Sequence, residues 1–143
     1  MPRIAALDVG DATVGVAVSD ELCITANPVT TIRRSKSIKT DLRAVEELLN
    51  ELGASRVVVG LPLDLKGEEG IQAAKVKDFT DRLTRRIRIP VVLWDESLST
   101  VDAESSLIQM DISRKKRKKV IDQMAAAVIL RSYLESGEWR VES

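Results

Sequence analysis

Short apolar runs, separated by tight polar turns, open the chain. The first run covers residues 3–9, the second extends from Thr13 to Val18, and the third from Cys23 to Ile32. Pro28 lies inside the third run and indicates an edge strand or a bulge, because proline cannot donate a ladder hydrogen bond. Three short strands joined in this way predict an antiparallel meander.

A helical period follows the third run. Apolar side chains recur every three or four residues from Ile38 to Leu52, with Ser37 as the predicted N-cap and Gly53 just beyond the end. Strand and helix patterns alternate after that point. The further predicted elements are a strand at 56–60, a helix over 73–87, a strand at 89–94, a short helix at 100–109 and a long helix at about 115–136.

Strands that are linked by crossover helices run parallel to each other. The pattern therefore predicts an α/β fold with a mixed five-stranded sheet, in which a three-strand antiparallel meander is extended by two parallel strands and helices cover both faces. A chain of 143 residues is long enough to bury the core of one such domain. Residues 1–137 are predicted to form this single domain, and residues 138–143 a frayed C-terminal tail.

The basic residues are unevenly placed, although 22 basic and 22 acidic residues leave no net charge. Residues 114–119 are all Lys or Arg, and residues 33–39 form a second cluster without an acid. Such runs most often form a solvated surface, and the alternative is contact with nucleic-acid phosphates. Cations in the first turns of a helix oppose its dipole, which favours the second interpretation. The predicted substrate-binding residues are Arg33, Arg34, Arg114, Lys115, Lys116, Lys118 and Lys119.

The chain contains no histidine and a single cysteine, Cys23. This composition excludes a Ser-His-Asp triad, a His-ligated zinc site and a disulfide framework. No signal peptide is expected before the first strand, and no apolar stretch approaches the ~20 residues that cross a bilayer. The expected location is the cytoplasm, and any catalysis must come from carboxylates, Lys, Arg, hydroxyls or a metal.

Three acidic residues interrupt or end apolar runs, namely Asp8, Glu96 and Asp122. A buried carboxylate is costly unless it is paired or binds a metal. In the predicted sheet, Asp8 lies on the central strand, Glu96 at the carboxyl end of a parallel strand, and Asp122 on the long helix that crosses the sheet. Carboxylates from separate elements suit Mg²⁺ or Mn²⁺, which activate water in phosphodiester cleavage.

Each of these acids also has a purely structural explanation. Asp8 would form a turn with the glycine that follows, Glu96 would cap the next segment, and Asp122 would lie in the first turn of a helix that begins near residue 119. Asp64, Glu68 and Glu69 are rival metal ligands of lower rank, because the loop after the fourth strand that carries them is expected to be mobile and solvated. Asp11 and Asp20 are predicted turn residues, and Trp94 and Trp139 predicted packing residues.

Five motifs accompany the three acids. They are Ala6-Leu7-Asp8-Val9-Gly10 with Gly15-Val16-Ala17-Val18-Ser19-Asp20, Val59-Gly60-Leu61-Pro62-Leu63, Gly67 with Gly70, Asp95-Glu96 followed by Leu98-Ser99-Thr100, and Asp122-x-x-Ala125-Ala126 with Ile129-Leu130. This set, in this order between residues 4 and 135, resembles the YqgF family, also called RuvX. The resemblance implies an RNase H-like fold similar to that of RuvC-type Holliday junction resolvases, and the predicted order of elements is also that of the RNase H-like fold.

Members of that family are regarded as nucleases that mature the 5′ end of the small-subunit ribosomal RNA precursor, and some have been proposed as junction resolvases. The resemblance implies that Asp8, Glu96 and Asp122 are metal-binding catalytic acids, with Asp95 beside them as a further ligand. The expected partners are structured RNA or branched or single-stranded DNA, together with a ribosomal precursor particle. The protein is expected to act as a monomer or a homodimer.

Two positions depart from the family pattern. Arg is common where this chain has Ser97, and a basic residue is common near Thr13. A missing phosphate contact would have to come from another cation, such as Arg114 or Lys118.

Three functions stay open at this point. The first is a metal-dependent endonuclease for structured RNA, and the second is a nuclease for branched or single-stranded DNA. The third is a non-catalytic nucleic-acid or ribosome-binding protein that uses the basic run alone. An actin-like or sugar-kinase ATPase is excluded, because those folds need two related domains and the chain has no Walker A motif.

Overall fold

The central strand of the sheet carries the first of the three acids. The computed structural model describes residues 3–63, 66–95 and 114–141, and for residues 114–122 and 141 the backbone alone. Its strands are β1 Arg3–Val9, β2 Thr13–Ser19, β3 Ala26–Arg33, β4 Ala54–Leu61 and β5 Val91–Asp95. They form one sheet in the order β3-β2-β1-β4-β5. The first three strands are antiparallel, and β4 and β5 add parallel strands beside β1, so the predicted mixed sheet is confirmed.

The helices agree with the predicted periodicity in the part of the chain that is described. They are α1 Ile38–Leu52, α2 Ile71–Arg86, α3 Arg114–Ser136 and α4 Glu138–Val141. The predicted caps of α1 are confirmed, because the Ser37 hydroxyl accepts from the N–H of Thr40 and Gly53 is left-handed at φ 67°. The predicted helix at 100–109 lies outside the described residues. None of the helices described here is long and apolar enough to cross a membrane.

Side chains alternate between two cores, one on each face of the sheet. On the α1/α2 face, odd-numbered residues of β1 such as Ala5 and Leu7 pack with apolar residues of α1 and α2. On the α3 face, the even-numbered Ile4 and Ala6 pack with residues of α3. This assignment of faces determines which functional side chains share a side of the sheet.

The edge strand β3 contains the irregularity that Pro28 indicates. Val16 pairs with Thr30 and Ala17 with Pro28, so the register shifts there and Val29 is the extra residue. The strand begins at Ala26, not at Cys23 as predicted.

Asp20 keeps the residues before β3 out of the strand. Its Oδ1 accepts from the backbone N–H groups of Ile24 and Thr25 at 2.7 and 3.1 Å. The bond from Thr25 above all holds the pKa of Asp20 below its ordinary value. Asp20 is therefore the turn residue that the sequence predicts.

The end of the domain is more ordered than the sequence predicts. Residues 138–141, expected to fray, form the short helix α4. The Trp139 indole packs against the α3-face core, and its Nε1–H donates to the carbonyl oxygen of Leu134 at 2.9 Å. The tail prediction is therefore wrong for these residues, whereas the packing role predicted for Trp139 is confirmed.

Candidate active site

Asp8 lies near the carboxyl end of the central strand, on the α3 face. Ile4 and Ala6 on the same strand pack in the α3-face core, and period-two alternation places Asp8 on their side. Its side chain is partly buried. The cross-strand partner of Asp8 on β2 is Gly15, which has no side chain. The neighbouring strand therefore places no side chain opposite Asp8.

The strand on the other side of Asp8, β4, also has a glycine level with it. Leu7 pairs with Val59, so the next residue of β4, Gly60, lies level with Asp8. Gly60 in turn pairs with Trp94 of β5. The row across this end of the sheet therefore runs from Gly15 through Asp8 and Gly60 to Trp94, and Asp8 is flanked by glycine on both sides.

Trp94 closes this row as a packing residue, as predicted. Its ring meets Tyr133 edge-on at a centroid distance of 5.3 Å, and its Nε1–H donates to the Ser132 hydroxyl at 3.1 Å. These contacts hold α3 against β5.

Asp95 and Glu96 are both predicted metal ligands, but the structure describes only Asp95 of the two. Asp95 is the last residue of β5 and is exposed. Leu93, two residues earlier, packs in the core of the α1/α2 face, so alternation places Asp95 on that face, opposite to Asp8. The register therefore separates Asp95 from Asp8 and does not favour its predicted role as a metal ligand. Glu96 lies outside the described residues.

Asp122 belongs to the helix that packs across the sheet. It is eight residues beyond Arg114 in α3, so it is past the first helical turn, and the first-turn explanation is wrong. Ala125 and Ala126, three and four residues later, are both fully buried. The position of Asp122 is therefore on the helix stripe that faces the sheet. The close approach of Asp122 to Asp8 stays a prediction.

The C-terminal half of α3 is held at the opposite end of the strands. The Tyr133 hydroxyl accepts from Arg56 Nη1 at 3.0 Å, and Arg56 pairs with Ile4 near the start of β1. Tyr133 is fully buried. This contact fixes where the helix crosses the sheet.

The metal-ligand prediction concerns Asp8, Glu96, Asp122 and Asp95, and the side chains of Asp8 and Asp95 are the described ones among these four. Among the side chains that the structure describes, no three His, Cys, Asp or Glu residues gather into a metal site. The rival ligand Glu69 forms an ion pair with Lys77, and Asp64 lies outside the described residues. Asp8 is a hard oxygen donor with a glycine level with it on each neighbouring strand, and its donor chemistry fits Mg²⁺ or Mn²⁺.

Arg33 and Arg34 were predicted together as substrate-binding residues, but the fold separates them. Arg33 pairs with Thr13, is exposed, and alternates onto the α3 face with Asp8. Arg34 instead donates from Nε to Asp41 at 3.1 Å and from Nη1 to the carbonyl oxygen of Gly10 at 2.8 Å. The guanidinium of Arg34 is therefore bonded to the protein through Nε and Nη1, which does not favour its predicted role as a substrate contact.

Asp41 is a buried carboxylate that the sequence interpretation missed. Its side chain is only 3% exposed, and its Oδ1 accepts from the backbone N–H and the hydroxyl of Ser35 at 2.8 and 2.9 Å. Burial alone would raise the pKa of Asp41, but the bonds from Ser35 and Arg34 outweigh it and hold the pKa below its ordinary value. The available signal was its spacing, because Asp41 precedes the buried Val45 by one helical turn.

The basic run forms the first described turns of α3. Residues 114–119 are helical, as predicted, and they precede Asp122 on the same helix. Their side chains lie outside the part of the structure that is described, so phosphate binding by Arg114, Lys115, Lys116, Lys118 and Lys119 stays a prediction.

The fold matches that of two RuvC structures. The structure titled T. thermophilus RuvC in complex with Holliday junction substrate superposes with a TM-score of 0.61, covering 96% of this chain and 98% of that chain at 15% identity. A second Thermus thermophilus RuvC structure gives a TM-score of 0.54 at 14% identity and covers 94% and 96% of the two chains. The predicted RNase H-like fold is confirmed.

Sequence similarity extends over nearly the whole chain. The profile of RuvX, described as Holliday junction resolvase, matches residues 2–136. A relative from Desulforamulus reducens, named as a candidate pre-16S rRNA nuclease, is 50% identical, with 94% of this chain and 98% of the relative covered. Relatives with the same name from Caldanaerobacter subterraneus subsp. tengcongensis and Clostridium tetani are 51% and 46% identical, each with 94% of this chain and 96% of the relative covered. The chain therefore belongs to the RuvX family.

Proposed function

We propose that this protein is a metal-dependent nuclease that hydrolyses phosphodiester bonds and matures the 5′ end of precursor 16S ribosomal RNA. The observation that carries the proposal is the position of Asp8. Its carboxylate lies at the end of the central strand, between two glycine positions, on the face crossed by α3. Membership of the RuvX family and the names of its relatives supply the class of substrate.

The residues proposed to hold the metal are Asp8, Glu96 and Asp122. All three are hard carboxylate donors from separate elements, which is the donor chemistry of Mg²⁺ and Mn²⁺ sites that also accept phosphate oxygens. When bound, the metal lowers the pKa of water and stabilises the leaving oxygen of the cleaved bond. The absence of histidine is consistent with this chemistry, because no strong side-chain base is then needed.

The proposed path of the nucleic acid follows the α3 face toward its edge strand. Arg33 is exposed on this face beside Thr13, which takes the place near which the family commonly has a basic residue. We propose that Arg33 binds a backbone phosphate of the substrate. The basic residues at the start of α3 are proposed to bind phosphates on the other side of Asp8, because they precede Asp122 by one to two helical turns.

The test compares cleavage of two substrates by the purified protein. Precursor 16S ribosomal RNA and a four-way DNA junction are incubated with and without Mn²⁺, using the wild type, Asp8→Asn and Asp11→Asn. Asp11 is an exposed acid three residues further along, in an ion pair with Lys75, and it is the matched control. We expect the wild type and Asp11→Asn to shorten the RNA at its 5′ end only with Mn²⁺, and Asp8→Asn to be inactive but folded.

Each other outcome has a definite meaning. Cleavage of the junction with no effect on the RNA would show that the substrate is branched DNA. The RuvC structure is titled as a complex with a Holliday junction substrate. Full RNA cleavage by Asp8→Asn would remove the proposed catalytic centre. Binding of RNA by all three proteins without any cleavage would favour a non-catalytic RNA-binding protein.

A further inference from the structure

The turn that follows Asp8 is held at two of its carbonyl groups. Gly10 to Thr13 connect β1 to β2, and the N–H of Gly10 donates to the carbonyl oxygen of Thr13 at 2.8 Å. A Cβ atom on Gly10 would lie 3.3 Å from that same oxygen, so the turn is tight. Gly10 is two residues beyond Asp8, so the turn continues directly from the end of the strand that carries the carboxylate.

Arg34 makes both contacts with this turn from the end of β3. Its backbone N–H donates to the carbonyl oxygen of Ala12 at 2.8 Å, and its Nη1 donates to the carbonyl oxygen of Gly10, also at 2.8 Å. The guanidinium lies 5.2 Å from the centroid of the Phe79 ring of α2, which limits its orientation. Arg34 therefore connects the turn to β3 and to α2.

Asp41 determines the orientation of the Arg34 side chain. The Nε–Oδ2 bond of 3.1 Å fixes one edge of the guanidinium, so that Nη1 points to Gly10. Asp41 itself is fixed by two bonds from Ser35, and it belongs to the first turn of α1. A buried carboxylate thus orients an arginine that holds the turn beside the proposed catalytic acid.

We propose that Arg34 and Asp41 are positioning residues for Asp8, and that their contact with Gly10 sets the affinity of the site for a divalent metal and the rate of cleavage. The proposal rests on the function proposed above. Neither residue lies on the face of Asp8, so they act through the backbone of the turn and do not touch substrate. Partners that orient a metal ligand from behind commonly change metal affinity or activity by 10- to 100-fold.

Lysine cannot replace arginine in this arrangement. An ammonium group is a single point donor, whereas the planar guanidinium reaches Asp41 and Gly10 with separate nitrogen atoms. Arg34→Lys keeps the positive charge next to Asp41 but loses the second contact. Arg86→Lys is the matched control, because Arg86 forms a comparable, partly buried ion pair with Glu46 of α1 at 2.9 Å and does not contact the turn.

The experiment measures three quantities for the wild type, Arg34→Lys and Arg86→Lys. The order of the 10–13 turn is followed by amide relaxation in NMR, Mn²⁺ affinity by calorimetry, and cleavage of precursor RNA by its kcat and KM. In Arg34→Lys we expect a more mobile turn, Mn²⁺ binding weakened about 10-fold, and kcat lowered at least ~10-fold with KM within about twofold of the wild type. Arg86→Lys should match the wild type in all three quantities.

A turn as ordered in Arg34→Lys as in Arg86→Lys, together with equal Mn²⁺ affinity, would overturn the positioning role and leave the proposed nuclease function intact. If the wild type cleaves no RNA, the proposed function fails instead. The mobility of the turn and the binding of Mn²⁺ then still decide the role of Arg34, since neither readout requires cleavage.

Discussion

Asp8 and Gly15 are direct cross-strand partners on β1 and β2. Directly opposed side chains on one face of a sheet lie about 4.5–5.5 Å apart at their Cβ atoms. A side chain at residue 15 would therefore lie beside the Asp8 carboxylate, where we propose that a metal binds. Glycine weakens an isolated strand, and we predict that its place in the middle of β2 serves the proposed Asp8 site.

We predict that Gly15→Val lowers the rate of RNA cleavage at least ~10-fold, because the branched side chain enters the space beside Asp8. Mn²⁺ affinity should fall with it, and Gly15→Ala should have a smaller effect in both measurements. Circular dichroism and the thermal midpoint show whether each variant is folded before its activity is compared. A folded Gly15→Val variant with wild-type Mn²⁺ affinity would show that the glycine is not needed by the Asp8 site.

Arg33 and Arg34 are consecutive in the chain, but we predict that only Arg33 contributes to RNA binding. Arg33 is exposed on the face of Asp8, so Arg33→Gln should weaken RNA binding several-fold and reduce the slope of log affinity against log salt by about 1. The guanidinium of Arg34 is held by the protein, so Arg34→Lys should leave both the RNA affinity and the slope unchanged. Titrations by fluorescence anisotropy at several salt concentrations test this. Equal slopes for Arg33→Gln and the wild type would show that Arg33 is a solvated surface residue without a phosphate contact.

Asp41 should make the protein sensitive to acid. Its pKa is depressed in the folded state relative to the ordinary value of 3.8, so its stabilising effect is complete above that value and is lost as the pH falls below it. At about pH 6, Asp41→Asn should lower the free energy of unfolding by about 2 kcal/mol, because it removes the charge from a buried pair with Arg34. Near pH 3 the difference from the wild type should shrink, as measured by urea denaturation.

The control for Asp41 is Glu46→Gln, which removes the carboxylate of the more exposed pair with Arg86. That change should cost less than about 1 kcal/mol. A difference between Asp41→Asn and the wild type that stays constant from about pH 6 to about pH 3 would be inconsistent with a titrating Asp41.

The sheet and the face of Asp8 could be predicted because they depend on local patterns. Period-two alternation along β1 and the change to a helical period after residue 37 determine the order of elements. The same alternation separates Asp95 from Asp8, because Asp95 shares the α1/α2 face with Leu93. The family resemblance implies Asp95 as a further ligand, and alternation along β5 does not favour that role.

The Arg34–Asp41 pair could not be derived in the same way. The basic cluster from residue 33 to 39 resembled a single surface, because its residues are consecutive in the chain. In the fold the chain leaves the sheet after Arg33, and the next arginine turns inward to a carboxylate in the first turn of α1. This pairing depends on the angle between β3 and α1, which no short-range pattern specifies.

The short helix α4 is predicted to stabilise the domain through Trp139. The indole donates to the carbonyl oxygen of Leu134 and packs on the α3-face core, and Arg56 donates to the Trp139 carbonyl oxygen at 3.5 Å. Trp139→Ala should lower the free energy of unfolding in urea by about 2 kcal/mol, less than for a fully buried tryptophan because the ring is partly exposed. Trp139→Phe keeps most of the packing but loses the hydrogen bond, and should cost about 1 kcal/mol. Leu22→Ala is the control, because this side chain is 65% exposed and should change stability by less than about 0.5 kcal/mol. If Trp139→Ala were as stable as Leu22→Ala, α4 would be dispensable, and the domain would end at α3 as its sequence pattern alone predicts.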